Sequence, residues 1–67
     1  MYQVKDYTNM HAIRVIAETN TVPEAIRAIS GKIYWLEEDQ QHPDHYDVIT
    51  WQGGQFVIEP KKENTNA

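Results

Sequence analysis

Residues 21–38 read Thr-Val-Pro-Glu-Ala-Ile-Arg-Ala-Ile-Ser-Gly-Lys-Ile-Tyr-Trp-Leu-Glu-Glu, and the fold depends on the helix that begins in this stretch and on where it ends. Thr21 is a favourable N-cap, and Glu24, three positions later, completes a capping box. Pro23 suits the first helical turn, because an N–H at that position would have no partner within the helix. The sequence therefore predicts that a helix begins at about residue 22.

The end of this helix has two interpretations. A short helix over residues 22–30 buries Ala25, Ile26 and Ile29 and stops at Ser30-Gly31. A helix that continues to about residue 40 is the alternative, because the apolar residues recur at intervals of four and three: Val22, Ile26, Ile29, Ile33 and Leu36. Gly31 opposes the long helix by about 1 kcal/mol relative to alanine. Ile33-Tyr34-Trp35 also favours a strand, and acidic residues 37–39 are unfavourable at a helix C-terminus. The favoured interpretation is a strand over residues 32–38.

Four further segments rich in β-branched and aromatic residues predict strands, at residues 2–8, 12–19, 46–51 and 56–59. Residues 39–45 are a loop by composition, and Gly53-Gly54 predicts a tight hairpin with positive φ angles. The predicted fold is α+β, an antiparallel sheet of four to five strands in the order β-β-α-β-β-β, with one short helix packed on one face. Residues 1–60 form a single domain, and the polar residues 61–67 are expected to be a disordered tail.

The predicted core is aliphatic with one tryptophan: Val4, Ile13, Val15, Ala25, Ile26, Ile29, Ile33, Trp35, Val48 and Ile58. A single helix covers only part of a five-stranded sheet, so some apolar side chains are left for the second face. The candidates are Tyr34, Leu36, Ile49, Trp51 and Phe56. Several of them exposed together would form a patch of the kind that marks an interaction site.

Composition excludes several classes of protein. The chain has 67 residues and no cysteine, so disulfides, thiolate metal sites and cysteine nucleophiles are excluded. Its N-terminus lacks the features of a signal peptide, and its longest apolar run, residues 33–36, is far too short to span a membrane. We expect a cytoplasmic domain held together by packing alone, or by packing and self-association.

Negative charge is concentrated in residues 33–60, which contain six of the ten acidic residues and no Lys or Arg. The same segment contains both tryptophans, and the net charge of the chain is −4. Such a segment disfavours direct binding to nucleic acid and complements a protein with a basic surface. The alternative is that the acidic residues only keep a small domain soluble. The predicted partner-binding residues are Tyr34, Trp35, Glu37, Glu38, Asp39, Asp44, Asp47 and Trp51.

Catalytic and metal-binding patterns are weak. Zinc requires three or four converging ligands, and His42-Pro43-Asp44-His45 supplies a H-x-x-H arrangement within a loop. A metal-dependent loop at His42 and His45 is therefore a minor hypothesis. We expect no enzyme, no cofactor and no metal.

Ile16-Ala17-Glu18-Thr19, followed by the capped Pro23-Glu24-Ala25-Ile26, resembles the strand-to-helix junction of very small bacteriophage proteins that take over or evade host functions. The phage T7 inhibitor of host RNA polymerase and small anti-CRISPR proteins have a similar layout. The resemblance covers about residues 12–29, and this chain differs by a longer connection and by the aromatic segment at 33–60. It implies a non-catalytic protein that binds and modulates a host protein. The alternative function is a self-associating structural protein, a homodimer through an exposed sheet face.

Overall fold

The computed structural model describes residues 1–61, which form one five-stranded sheet and one helix. In chain order the elements are β1 (Tyr2–Asp6), β2 (Arg14–Thr19), α1 (Val22–Ala28), β3 (Ile33–Glu38), β4 (Tyr46–Thr50) and β5 (Gln55–Pro60). The strands lie in the order β2-β1-β5-β4-β3, and every neighbouring pair is antiparallel. The predicted α+β fold is confirmed, and the alternative helix over residues 22–40 is wrong.

Thr21 caps the start of α1 as predicted, although Glu24 bonds to the Thr21 hydroxyl and not to its backbone N–H. Thr21 is extended, with φ −135° and ψ 160°. Its Oγ1 accepts the N–H of Glu24 at 3.3 Å, and its hydroxyl donates to Oε1 of Glu24 at 3.0 Å. The helix ends at Ala28, two residues before the predicted end, and Ile29 is already extended as the C-cap. Ile29 is nevertheless buried, so the apolar stripe continues past the last helical residue.

The core lies between α1 and one face of the sheet, where α1 packs against β2, β1 and β5. The buried apolar residues are Val4, Ala25, Ile29, Val48, Phe56 and Ile58. Phe56 was predicted for the second face but belongs to this core. The reason is strand alternation, because Phe56 and Ile58 are two residues apart on β5 and point to the same face. The opposite surface of the sheet, which α1 does not cover, is called the open face below.

Two predicted core residues, Val15 and Ile13, are exposed, and a β-bulge in β2 explains the exposure of Val15. Val4 pairs with Ala17, whereas the next residue, Lys5, pairs with Val15. Ile16 is therefore an extra residue in the ladder, and the side chain of Val15 turns to the open face, where it is 48% exposed. Ile13 precedes β2 and is exposed as well.

A second bulge, in β3, moves Trp35 out of the predicted core. Ile33 pairs with Thr50 and Trp35 pairs with Ile49, so Tyr34 is the extra residue. From that point β3 presents Trp35 to the open face, where it is 48% exposed, and Leu36 to the helix side. Leu36 is still 45% exposed, because α1 does not extend over β3.

The β4–β5 hairpin has a four-residue connection, residues 51–54, rather than a two-residue turn. Gly53 has a φ of +90°, a conformation that other residues rarely adopt. Gly54 is required by a close approach, since a Cβ there would lie 2.8 Å from Cε1 of Phe56 and 2.9 Å from Oγ1 of Thr50. The Thr50 hydroxyl uses this proximity and accepts the N–H of Gly54 at 3.0 Å.

The chain remains attached to the sheet one residue past β5. The N–H of Lys61 donates to the carbonyl of Met1 at 2.8 Å, and its Nζ lies 3.0 Å from Oε1 of Glu18. Lys61, the first residue of the predicted tail, is thus in contact with both β2 and the residue before β1. The rest of the predicted tail, residues 62–67, lies outside the described residues.

Candidate functional site

The open face carries two rows of side chains across β3, β4 and β5. In one row Glu37 pairs with Asp47, which pairs with Val57. In the other row Trp35 pairs with Ile49, which pairs with Gln55. Residues paired across antiparallel strands point to the same face with their Cβ atoms about 4.5–5.5 Å apart. An aromatic and apolar row therefore lies directly beside an acidic one.

A pocket of about 370 Å³ lies on this part of the open face. Its floor comes from β4 and β5, one wall is Trp35, and the other comes from the chain that follows β1. The lining residues are Tyr7, Met10, Trp35, Asp47, Val48, Ile49, Gln55 and Val57. We call it the open-face pocket. It combines two aromatic rings with a carboxylate and an amide.

The wall that follows β1 is held by hydrogen bonds to the start of β5. The N–H of Tyr7 donates to the carbonyl of Gln55 at 2.7 Å, and the N–H of Gln55 donates to Oγ1 of Thr8 at 3.0 Å. Thr8 is fixed in turn by Asp6, whose Oδ1 accepts its N–H at 2.8 Å. The hydrogen bonds from the side chain and backbone of Thr8 hold the pKa of Asp6 below its usual value. The sheet therefore fixes the position of Tyr7.

Glu37 and Asp47 are like charges placed directly opposite each other. The cation in the same row, Lys5, pairs with Val57 in the ladder, but its Nζ lies 3.1 Å from Oε1 of Glu59. Among residues 1–61 no Lys, Arg or His lies within ion-pair distance of Glu37 or Asp47. A like-charged pair directly opposite each other on neighbouring strands is destabilising. The Glu37–Asp47 pair therefore does not stabilise the sheet.

Glu38 and Asp39 have a different role from Glu37, because both shape the loop between β3 and β4. Oε2 of Glu38 accepts the N–H of Asp44 at 3.2 Å, and Asp44 has a φ of +65°. Asp39 accepts the N–H of Gln41 at 2.8 Å and contacts the ring of His42 at 3.1 Å. The Gln41 bond first, and then His42, lower the pKa of Asp39.

Glu38 also faces Tyr46 on the helix side of the sheet, since the two residues pair in the ladder. Desolvation, followed by the negative charges of Glu38 and Asp44, raises the pKa of Tyr46. The predicted acidic set therefore divides between two surfaces. Glu37 and Asp47 lie on the open face, and Glu38 lies on the other.

Tyr34 and Trp51 form a separate pair at the far end of the β3–β4 hairpin. Their ring centroids are 4.5 Å apart and their planes are inclined by 72°, an edge-to-face contact. The N–H of Trp51 donates to the carbonyl of Lys32 at 2.9 Å. Both rings remain more than half exposed. They contact each other and do not line the open-face pocket.

The loop histidines lie near each other, with ring centroids 5.4 Å apart. Nδ1 of His42 is 3.1 Å from Asp39, and Nδ1 of His45 donates to the carbonyl of Pro43 at 3.1 Å. Within residues 1–61 no three His, Asp or Glu side chains converge in a way that could hold a metal ion. The geometry gives the metal hypothesis no support.

The sequence interpretation omitted several residues that line the pocket: Tyr7, Met10, Gln55 and Val57. The signal for two of them was present in β5. Because Phe56 and Ile58 face the core, Gln55 and Val57 must face the other way. Tyr7 and Met10 carried no comparable signal, because they follow the end of β1, and Tyr7 is positioned by its hydrogen bond to Gln55 on β5.

Comparison of the chain with protein-family models, with characterised proteins and with solved structures finds no match. The helix in residues 1–61 is too short to cross a membrane.

Proposed function

We propose that the protein is a non-enzymatic binding module that attaches to a basic surface of another protein through Trp35, Glu37 and Asp47. One observation carries the proposal: two uncompensated carboxylates face each other beside a half-exposed tryptophan. An arrangement that reduces stability is expected where it serves a function. A cationic partner would neutralise the pair and cover the indole ring.

The chemistry of the open face suits a protein partner better than a nucleic acid. Tryptophan is among the residues that contribute most to binding energy at protein interfaces. Carboxylates steer a basic partner and increase its association rate. The same carboxylates would repel phosphate groups. Asp39 and Asp44 add negative charge in the loop between β3 and β4, and Glu38 shapes that loop through its bond to the N–H of Asp44. Tyr34 and Trp51 contact each other outside the open-face pocket.

We further propose that the partner is a host protein in the bacterial cytoplasm and that the chain is a phage or mobile-element accessory protein. This part rests on the resemblance at residues 12–29 and on the small size of the domain.

Affinity capture from a bacterial lysate, with the wild type and two variants as baits, tests the binding function. Asp47→Lys reverses one charge in the acidic row. Glu18→Lys is the matched control, because it makes the same charge change on β2, three strands from β4 in the sheet. We expect a partner that the control retains and Asp47→Lys loses. Identical partner sets for all three baits, or no partner at all, would contradict the proposal.

Self-association is the second candidate function, and one observation favours it. Both edge strands, β2 and β3, expose apolar side chains, including Val15 and Ile16 on the first and Tyr34 and Leu36 on the second. Exposed apolar edges can pair with another chain. Sedimentation velocity at micromolar concentrations distinguishes the two functions. A strict monomer excludes a stable dimer. A dimer that Asp47→Lys leaves unaffected favours self-association as the function.

A further inference from the structure

The open-face pocket has a chemistry that neither a purely apolar pocket nor a purely acidic patch offers. Trp35 is 48% exposed and forms one wall. Tyr7 lies across from it, fixed by the 2.7 Å bond between its N–H and the carbonyl of Gln55. Asp47 lines the pocket, and Glu37 lies directly opposite it on β3, next to the lining residues. Aromatic faces attract cations, and carboxylates pair with them.

We propose that this pocket receives an arginine side chain of the partner protein, an inference that rests on the function proposed above. The guanidinium stacks on Trp35 and donates hydrogen bonds to Asp47 and Glu37. The aliphatic part of the side chain packs on Ile49 and Val57. Gln55 supplies a further acceptor through its amide oxygen.

Arginine fits this site better than lysine for a geometric reason. Its planar guanidinium offers five donors in a fixed fork and also stacks on aromatic rings. Two carboxylates on neighbouring strands match such a fork, whereas a lysine ammonium is a compact, strongly hydrated charge with no planar face to stack on the indole ring. The volume of about 370 Å³ is at the small end of the roughly 300–1,000 Å³ typical of ligand pockets. It suits one side chain better than an extended cofactor.

Other cations fit less well. A metal ion needs more ligands than the two carboxylates present, and residues 1–61 contain no group of three metal-binding side chains. The chain's own Lys5 and Lys61 are engaged by Glu59 and Glu18. Within residues 1–61 no other cation of the chain pairs with Asp47 or Glu37 either, so the positive charge that the site favours is that of a partner.

Titration of the isotopically labelled protein with Nα-acetyl-arginine amide tests the inference. We expect NMR shifts at the Trp35 indole N–H and at the backbone of Asp47, Gln55 and Val57. Asp47→Asn and Trp35→Leu should each weaken binding about threefold to tenfold. Trp51→Leu is the matched control, because Trp51 packs on Tyr34 outside the pocket, and it should bind like the wild type. Dispersed spectra of each variant establish that it is folded.

Two further probes, one neutral and one with a different charged group, test the charge and the shape of the guanidinium separately. Nα-acetyl-citrulline amide has nearly the same shape without the charge and should bind at least tenfold more weakly. Nα-acetyl-lysine amide keeps the charge without the fork and should also bind more weakly. Equal binding of arginine and citrulline, or of arginine and lysine, would overturn the inference. So would shifts confined to the loop at Asp39 and Asp44, or equal affinity of the wild type, Asp47→Asn and Trp35→Leu.

This titration separates the inference from the function on which it rests. If the arginine probe fails while Asp47→Lys still loses a captured partner, the binding function stands and the arginine assignment is wrong. If the probe binds in the pocket but no charge-dependent partner exists, the assignment of the site stands and the proposed function is wrong.

Discussion

Neutralising either member of the Glu37–Asp47 pair should stabilise the protein. The two residues are cross-strand partners, which places their carboxylates about 6 Å apart when the side chains extend from Cβ atoms about 5 Å apart. At that distance the repulsion is about 0.7 kcal/mol in water. Both side chains are exposed, so the value for water is the relevant one, and a Debye length of about 8 Å at physiological salt roughly halves it.

We therefore expect Glu37→Gln and Asp47→Asn each to raise the free energy of unfolding by about 0.5 kcal/mol at low salt, or the melting temperature by about 2–4 °C for a domain of this size. Urea unfolding measures the first quantity and a thermal melt the second. The gain should shrink as salt is added, because the removed repulsion is itself screened.

The double variant decides whether the effect belongs to the pair. Once one charge is gone the repulsion is gone, so Glu37→Gln/Asp47→Asn should gain no more than either single variant. Relief of the net charge of −4 predicts instead that the two gains add. Glu18→Gln is the control, because it removes one acidic charge that is paired with Lys61 and should be neutral or slightly destabilising. Additive gains, or an equal gain from Glu18→Gln, would refute the assignment to the pair.

Three further predictions concern the scaffold. Gly54→Ala should lower the free energy of unfolding by about 1–3 kcal/mol, since its Cβ would lie 2.8 Å from the ring of Phe56. Urea unfolding measures this free energy, and an unchanged midpoint would contradict the close approach. Thr21→Ala should destabilise the protein by about 0.5–2 kcal/mol by removing the cap of α1, whereas Thr21→Ser should retain most of the stability. Asp39 has a lowered pKa in the folded state, so it stabilises the fold above its unfolded pKa, and this stabilisation disappears as the pH falls through the folded pKa. Asp39→Asn should therefore lose less stability than the wild type between about pH 5 and pH 2, and parallel profiles would show that this carboxylate makes no such contribution.

The elements of the fold were predictable because each has a strong local signal. The N-cap Thr21 defines the start of α1, and the sequence around Gly31 ends it. The strand-favouring residues after Gly31 correctly indicated β3 and not a longer helix. Such signals act over a few residues, and the order of strands along the chain follows from them. The order of the strands within the sheet was not predicted and is known only from the structure.

The faces of the edge strands were not predictable by alternation alone. The rule that residues two apart share a face holds for β4 and β5, and it placed Val48 and Ile58 correctly. In β2 and β3 one extra residue, Ile16 or Tyr34, inverts the rule for Val15 and Trp35. Neither bulge has a marker in the local sequence, because each depends on how the strand pairs with its neighbour, β2 with β1 and β3 with β4.

The bulge at Tyr34 also accounts for the composition of the candidate site. In a regular β3 that continued the alternation from Ile33, Trp35 and Glu37 would both point toward the helix side. The extra residue instead turns both to the open face, opposite Ile49 and Asp47. Bulges commonly re-aim side chains and disrupt the pairing edge of a strand. One inserted residue on β3 therefore disturbs an exposed edge and also assembles the tryptophan and the two carboxylates that we propose bind the partner.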